Sequence, residues 1–216
     1  MCESGGCCRW CSGFIFTLGL TALFMWLSLR PSAPTLSFEA FYIPALNHTA
    51  LSNLSARIPP ANVTIAFDFK LRNNNKDKGV FYDDLRLAFY HAPNRSSPIA
   101  NLTVPAFYQG FKKTAHRKQG VEVVKDRAFW ENVTRAVSEE NRTVFRVDLE
   151  TRVRYKIVGV KTVRHRLRLH ADVEVNEQGK KSKRKGVKFH STAPPPPPLG
   201  MKLLPAPLLL LLLVVW

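Results

Sequence analysis

The sequence predicts an all-β protein: an antiparallel β-sandwich with one short helix, preceded by a single transmembrane helix. Three observations carry that prediction. Apolar and charged residues alternate with period two through the middle of the chain, a charge-free apolar stretch stands near its start, and seven Asn-x-Ser/Thr sequons are spread over the region that follows. With 216 residues and 45% hydrophobic content, the chain can build one packed domain or two small ones, which excludes a wholly disordered basic protein. Fifteen prolines argue against an all-helical fold.

Taken in order, residues 1–10 are expected to be a short cytoplasmic Cys-rich segment and residues 11–29 a transmembrane signal anchor. No charge falls between Arg9 and Arg30, a gap close to the roughly 20 residues that cross a bilayer as a helix. A cleaved signal peptide is the competing reading, but its apolar region is shorter, about 7–15 residues, and the one small-residue cleavage candidate, Ala33, is followed by Pro34. All four cysteines, Cys2, Cys7, Cys8 and Cys11, precede the apolar stretch or open it, so no disulfide holds the downstream domain. The Cys8–Cys11 spacing lacks the further ligands that a zinc site needs. S-acylation of Cys7, Cys8 and Cys11 beside the membrane is the expected chemistry, with unmodified thiols the plain alternative.

The sequons stand at Asn47, Asn53, Asn62, Asn94, Asn101, Asn132 and Asn141. Random placement of eleven Asn among about 11% Ser plus Thr gives roughly one, so seven mark a chain that enters the secretory lumen. Residues 30–190 are therefore expected to be an extracellular domain. The basic residues after the helix do not oppose this, because long domains translocate largely regardless of charge.

Within that domain, Phe145, Val147, Leu149, Thr151, Val153, Tyr155 and Ile157 alternate with Arg146, Asp148, Glu150, Arg152, Arg154 and Lys156. One face of such a strand is core and the other is solvated. The pattern returns at Leu167 to Val175, Val63 to Leu71 and Leu85 to Phe89. Turn clusters such as 73–79 separate the strands, and Phe129, Trp130, Val133, Ala136 and Val137 fall on one face of a helix. About seven strands with one-sided burial make a sandwich.

Residues 191–216 carry the order of a lipid-anchor signal: small residues at Ser191 to Ala193, a spacer from Pro194 to Lys202, then an apolar tail from Leu203 to Trp216. Ser191 is the expected attachment residue, with Thr192 and Gly186 as alternates and an uncleaved apolar tail as the other reading. The tail is too short, and too broken by Pro205 and Pro207, for a second span.

No convergent catalytic, cofactor-binding or metal-binding set stands out. Asp83 and Asp84 are adjacent and point to opposite faces of a strand, the six His fit no ligand spacing, and no phosphate loop or nucleophile elbow occurs. The formal net charge of +16 has a denser focus at Lys180, Lys181, Lys183, Arg184, Lys185 and Lys188. Composition alone suits a nucleic acid, but a lumenal segment meets none. An acidic cell-wall polysaccharide such as de-esterified pectin, or anionic lipid headgroups, would bind such a surface by charge; a solvated tether with no partner is the alternative. The tract from Gly110 to Lys118 would add to this surface if the fold brought it close.

The strings Ile43-Pro44-Ala45-Leu46, Asn75-Lys76-Asp77-Lys78-Gly79 with Tyr82-Asp83-Asp84, Val104-Pro105-Ala106-Phe107-Tyr108-Gln109-Gly110 and Ala171-Asp172-Val173-Glu174-Val175-Asn176 resemble the harpin-induced-like family of plant disease-resistance proteins. That family's ectodomain is a late-embryogenesis-abundant group 2 domain. The resemblance implies a fibronectin-III-like sandwich at the plasma membrane of a plant cell, acting in defence signalling and in contact with the wall, and it offers no catalytic residues. The family's Asn-Pro-Asn turn is Asn73-Asn74-Asn75 here. A non-enzymatic signalling and adhesion protein follows, whose N-terminal segment could dock a cytoplasmic signalling protein. The alternative is a stress-protective module that stabilises membrane or wall without signalling.

Overall fold

The computed structural model describes the backbone of residues 4–47, 62–92 and 97–192, with side chains from residue 11 onward except at Asn62. Asn53, Asn94, Cys2 and the tail from 193 to 216 lie outside the described residues. Two compact units divide the chain, and the sheets belong to the one spanning Ser32–Ala193.

Helix α1 (Ser4–Leu29) takes in residues 4–10 of the Cys-rich segment as well as the apolar stretch. Its Cys11–Leu29 portion, with mean hydropathy 1.7, is long and apolar enough to cross a membrane. Thr17 and Thr21 donate their hydroxyls to the carbonyls of Gly13 and Thr17, so these polar side chains are satisfied within the helix itself.

Thirteen strands follow among the described residues. The first sheet contains β1 (Thr35–Asn47), β2 (Asn62–Arg72), β7 (Thr114–Val124), β11 (Gln178–Lys180) and β12 (Val187–Lys188). Its order is β11-β1-β2-β7, with β12 also on β1. The second contains β3 (Gly79–Tyr82), β4 (Leu85–His91), β5 (Ala100–Val104), β6 (Phe107–Gln109), β8 (Arg142–Ile157), β9 (Val160–Lys161), β10 (His165–Asn176) and β13 (His190–Ser191), built around the long antiparallel β8–β10 pair. Every pairing is antiparallel.

The alternating residues do what their period requires. Phe145, Val147, Leu149 and Val153 on β8 are buried with Phe67 and Phe69 on β2 and Phe89 on β4 in one core. Rings from opposite sheets meet there: Phe67 lies 5.4 Å from Phe89, and Phe41 lies 6.2 Å from Phe145.

Helix α2 (Arg127–Glu140) closes one end of the core with Trp130, Val133 and Val137 buried. Asp126 caps it by accepting the Phe129 N–H, and Asn141 ends it in the left-handed conformation. The opposite end is held by polar side chains. Asn73 is fully buried; its amide donates to the carbonyls of Lys78 and Gly110, and its oxygen accepts from the Asn75 N–H and Nδ2. Asn75 in turn grips Ser32, accepting its N–H at 2.8 Å and donating to its carbonyl at 2.9 Å. The triple-Asn turn is thus tied down without the proline of the family pattern.

Candidate functional site

Strand register decides which basic residues share a surface, because directly paired residues point to the same face. On the outer face of the first sheet, Lys188, Ser37, Lys70 and His116 form one row across β12, β1, β2 and β7. Flanking rows are Thr35–Arg72–Thr114, Ala40–Asp68–Lys118 and Lys180–Tyr42–Ala66–Gly120. The C-terminal basic segment and the tract at 114–118 are therefore neighbours, about 15 Å apart over three strand spacings. Lys70 and Arg72, which join them, were not singled out from sequence; they are alternate positions of β2, outward by the same period that buries Phe69 and Leu71.

Five cations in these rows face few carboxylates. Glu39 takes Lys70 at 3.4 Å and the Ser37 hydroxyl at 3.2 Å. Partial burial works to raise its carboxyl, and those bonds, with the charges of Lys70 and Lys181, outweigh it and hold the group below the usual carboxylate range. Asp68 lies 3.4 Å from His116. His91 lies elsewhere, packed on Phe129 and Phe145 beneath α2, where its Nε2 meets the Thr143 hydroxyl at 2.9 Å.

The six C-terminal cations are not equivalent. Lys181 donates to the carbonyls of Phe38, Glu39 and Lys185, clamping the loop onto the bulge of β1 between Phe38 and Ala40. Burial there pushes its ammonium below the ordinary lysine value, against the pull of Glu39. Lys183 pairs with Glu174 at 3.4 Å. Lys180, Arg184, Lys185 and Lys188 are exposed.

The outer face of the second sheet is built differently. Five of its arginines are matched to carboxylates: Arg146 to Asp148 at 2.8 Å, Arg154 and Arg164 to Asp83 at 3.6 and 3.1 Å, and Arg166 and Arg168 to Glu150. Hydrogen bonding to Arg166 leads the causes that hold Glu150 below its usual range. An open trough of about 400 Å³ on this face is lined by both signs of charge, among them Arg86, Arg168, Asp148 and Glu150. Among the described residues, no group of three or more His, Cys, Asp or Glu could hold a metal ion.

Of the sequon residues, Asn101 is exposed on β5 at the margin of the trough, Asn132 is exposed on α2, and Asn141 is exposed at its end. Asn47 ends β1 and Asn62 begins β2. Ser191 is exposed at the end of β13, which pairs with β10 through Leu169. Cys7, Cys8 and Cys11 fall within α1, with Cys11 exposed.

No family model matches the chain. Protein NDR1 of Arabidopsis thaliana is 43% identical to it over 189 residues, covering 85% of this chain and 81% of the relative. The chain belongs to the NDR1/HIN1-like family. Two further members from Arabidopsis thaliana are similar to it: NDR1/HIN1-like protein 10, 32% identical over 46% of this chain and 40% of its own, and NDR1/HIN1-like protein 3, 26% identical over 73% and 66%. A solved structure of a protein from Archaeoglobus fulgidus covers 68% of the chain and 97% of its own at a TM-score of 0.35 and 7% identity, a likeness too distant to carry an argument.

Proposed function

We propose that this is a non-enzymatic plasma-membrane protein of plant disease resistance, whose glycosylated ectodomain binds an acidic polysaccharide of the cell wall through the outer face of its first sheet. The observation that carries the reading is the set of cross-strand rows joining Lys188, Lys70, Arg72, Lys118 and Lys180, where cations outnumber carboxylates. Surface charges in register attract a polyanion without a deep pocket, and salt screens that attraction over a Debye length of about 8 Å. The NDR1/HIN1-like relatives support the defence role.

In this reading α1 spans the membrane and a lipid attached at Ser191 provides a second attachment, at the C-terminal side of the domain's sequence. Acylation at Cys7, Cys8 and Cys11 places the cytoplasmic segment against the inner leaflet, where it meets a signalling protein. The direction of β13, antiparallel to β10, supports the double attachment: it sends the chain toward the end of the sandwich at which β1 begins.

Sedimentation of the full chain in detergent with de-esterified pectin, across a salt series, tests the wall-binding step. Binding is expected to weaken at least tenfold when Lys70, Arg72, Lys118 and Lys188 are changed together to Ser, and to fall with salt. Changing Arg152, Arg166 and Arg168 on the other sheet to Ser is expected to leave it within about twofold. Absence of pectin binding at low salt sinks the mechanism.

A further inference from the structure

The two ends of the sandwich meet different surroundings. Asn47, Asn62, Asn132 and Asn141 all lie at the end closed by α2, while the loops at the other end, 73–78, 110–113 and 158–164, contain no sequon. Glycans attached to these sequons, as in the proposed reading, would leave that end bare. Of the six large apolar side chains exposed on the described sheets and their loops, five are there: Tyr108, Phe111, Val158, Val160 and Val163. Val124 alone is at the other end.

Backbone geometry presents two of these tips at a cost. Val158 and Gly159 form a two-residue hairpin turn between β8 and β9, both with positive φ, at 46° and 87°. Such turns favour Asn or Gly, and a β-branched residue is strained in them, yet here Val158 stands 90% exposed at the tip. Lys112, beside Phe111, is likewise left-handed at φ 53°, with its N–H fixed to the Asn75 carbonyl at 3.0 Å.

Exposed lysines surround the apolar tips: Lys76, Lys112, Lys113, Lys156 and Lys161. The single carboxylate in these loops, Asp77, is taken by Lys78 at 2.8 Å. Apolar tips ringed by lysines suit the interface of a bilayer, where the rings and branched chains enter the headgroup layer and the ammonium groups meet phosphate. Chain connectivity agrees. Ser32 is pinned to Asn75 at this same end, and only Arg30 and Pro31 separate it from Leu29, the last residue of α1. Three residues reach at most about 11 Å.

We infer that the sequon-free end, through Phe111, Val158, Val160 and Val163 and the lysines around them, docks on the lipid surface of the membrane in which the chain is anchored. This rests on the membrane-anchored reading of α1. It sets the sandwich upright, with its glycan-bearing end away from the bilayer.

The test uses the full chain with Cys2, Cys7, Cys8 and Cys11 changed to Ser and a single Cys introduced as Val158→Cys, or as Val124→Cys for the control. Each is labelled with an environment-sensitive fluorophore and reconstituted in phosphatidylcholine–phosphatidylserine vesicles containing headgroup-quencher lipids. Co-flotation with the vesicles reports anchoring independently of docking. The expected result is flotation of both, with quenching at 158 at least threefold stronger than at 124. Flotation with equal quenching overturns the docking and spares the anchor; failure to float overturns both. In a chain labelled at Phe111→Cys, Val158→Asn is expected to raise Tm by relieving the turn and to reduce quenching at least twofold. A rise in Tm with quenching unchanged assigns Val158 no part in docking and overturns its role.

Discussion

The end of the sandwich closed by α2 and the end where β1 begins solve the same problem, an open core, with opposite chemistry. At the first, an amphipathic helix drops Trp130, Val133 and Val137 into the gap, and its polar face is left to water and to sequons. At the second, among the described residues of the domain, loops take the place of a helix. Asn73, Asn75 and Gln109 lock two loops, 73–78 and 110–113, to one another and to Ser32 through hydrogen bonds, Gln109 reaching the carbonyls of Leu71 and Lys113 and accepting from Tyr82. The Tyr82 hydroxyl sits deep enough that burial pushes its pKa well up. The difference teaches that polar cross-links inside a loop free its tip to carry an apolar residue outward, as at Phe111, which a hydrophobic plug would have drawn inward.

The sharpest way to break this comparison is Asn73→Ala. It strands two carbonyls and the Asn75 amide in a buried site, so a loss of about 3 kcal/mol in urea unfolding is expected. Next comes Val158→Asn, which relieves a positive φ on a β-branched residue and is expected to add about 1.5 kcal/mol by the same measurement. At the helical end Asp126→Ala removes one cap and should cost about 1 kcal/mol. If it costs as much as Asn73→Ala, the two ends are not held differently.

The smallest effect concerns pH. Burial holds the His91 imidazole below its ordinary value, so it stays neutral in the folded state where the unfolded chain already binds a proton. Its penalty is therefore absent above about pH 6.5 and grows as the pH falls toward the folded value. Replacing His91 with Gln should flatten the stability profile between pH 7 and 5, measured as Tm against pH, and leave the alkaline side unchanged.

Much of this architecture was legible in the sequence because one-sided burial writes a period of two. β2, β4, β8 and β10 follow it, and α2 shows its own period of three and four. β1 does not, because the bulge between Phe38 and Ala40 shifts the phase: Leu36 and Phe38 are buried, then Phe41 and Ile43. β7 is hidden for another reason. Its first half presents Ala115, Arg117 and Gln119 on the inward phase, and the Arg117 guanidinium covers the Phe107 ring at 4.9 Å in place of an apolar side chain. The strands β3, β5, β6, β9 and β11–β13 are too short, at two to five residues, to establish a period. Hence about seven strands were expected and thirteen are present among the described residues.

The candidate surface was legible as composition but not as place. Six lysines and arginines close together in sequence look alike; only the fold separates Lys181, held by three carbonyls, from Lys188, set in a row with Lys70. That row depends on which residue of β1 faces which residue of β2 and β12, and register is a long-range property that no local string records.

The grip of Asn75 on Ser32 also has a consequence for binding strength. With Ser32 fixed, the link to α1 is two residues long, so any encounter of the loops with a bilayer that holds α1 is intramolecular, at an effective concentration in the millimolar range or above. Loops whose own lipid affinity is far too weak to retain a free domain would then spend most of their time seated. A modest change in headgroup charge could lift that end without letting go of the chain.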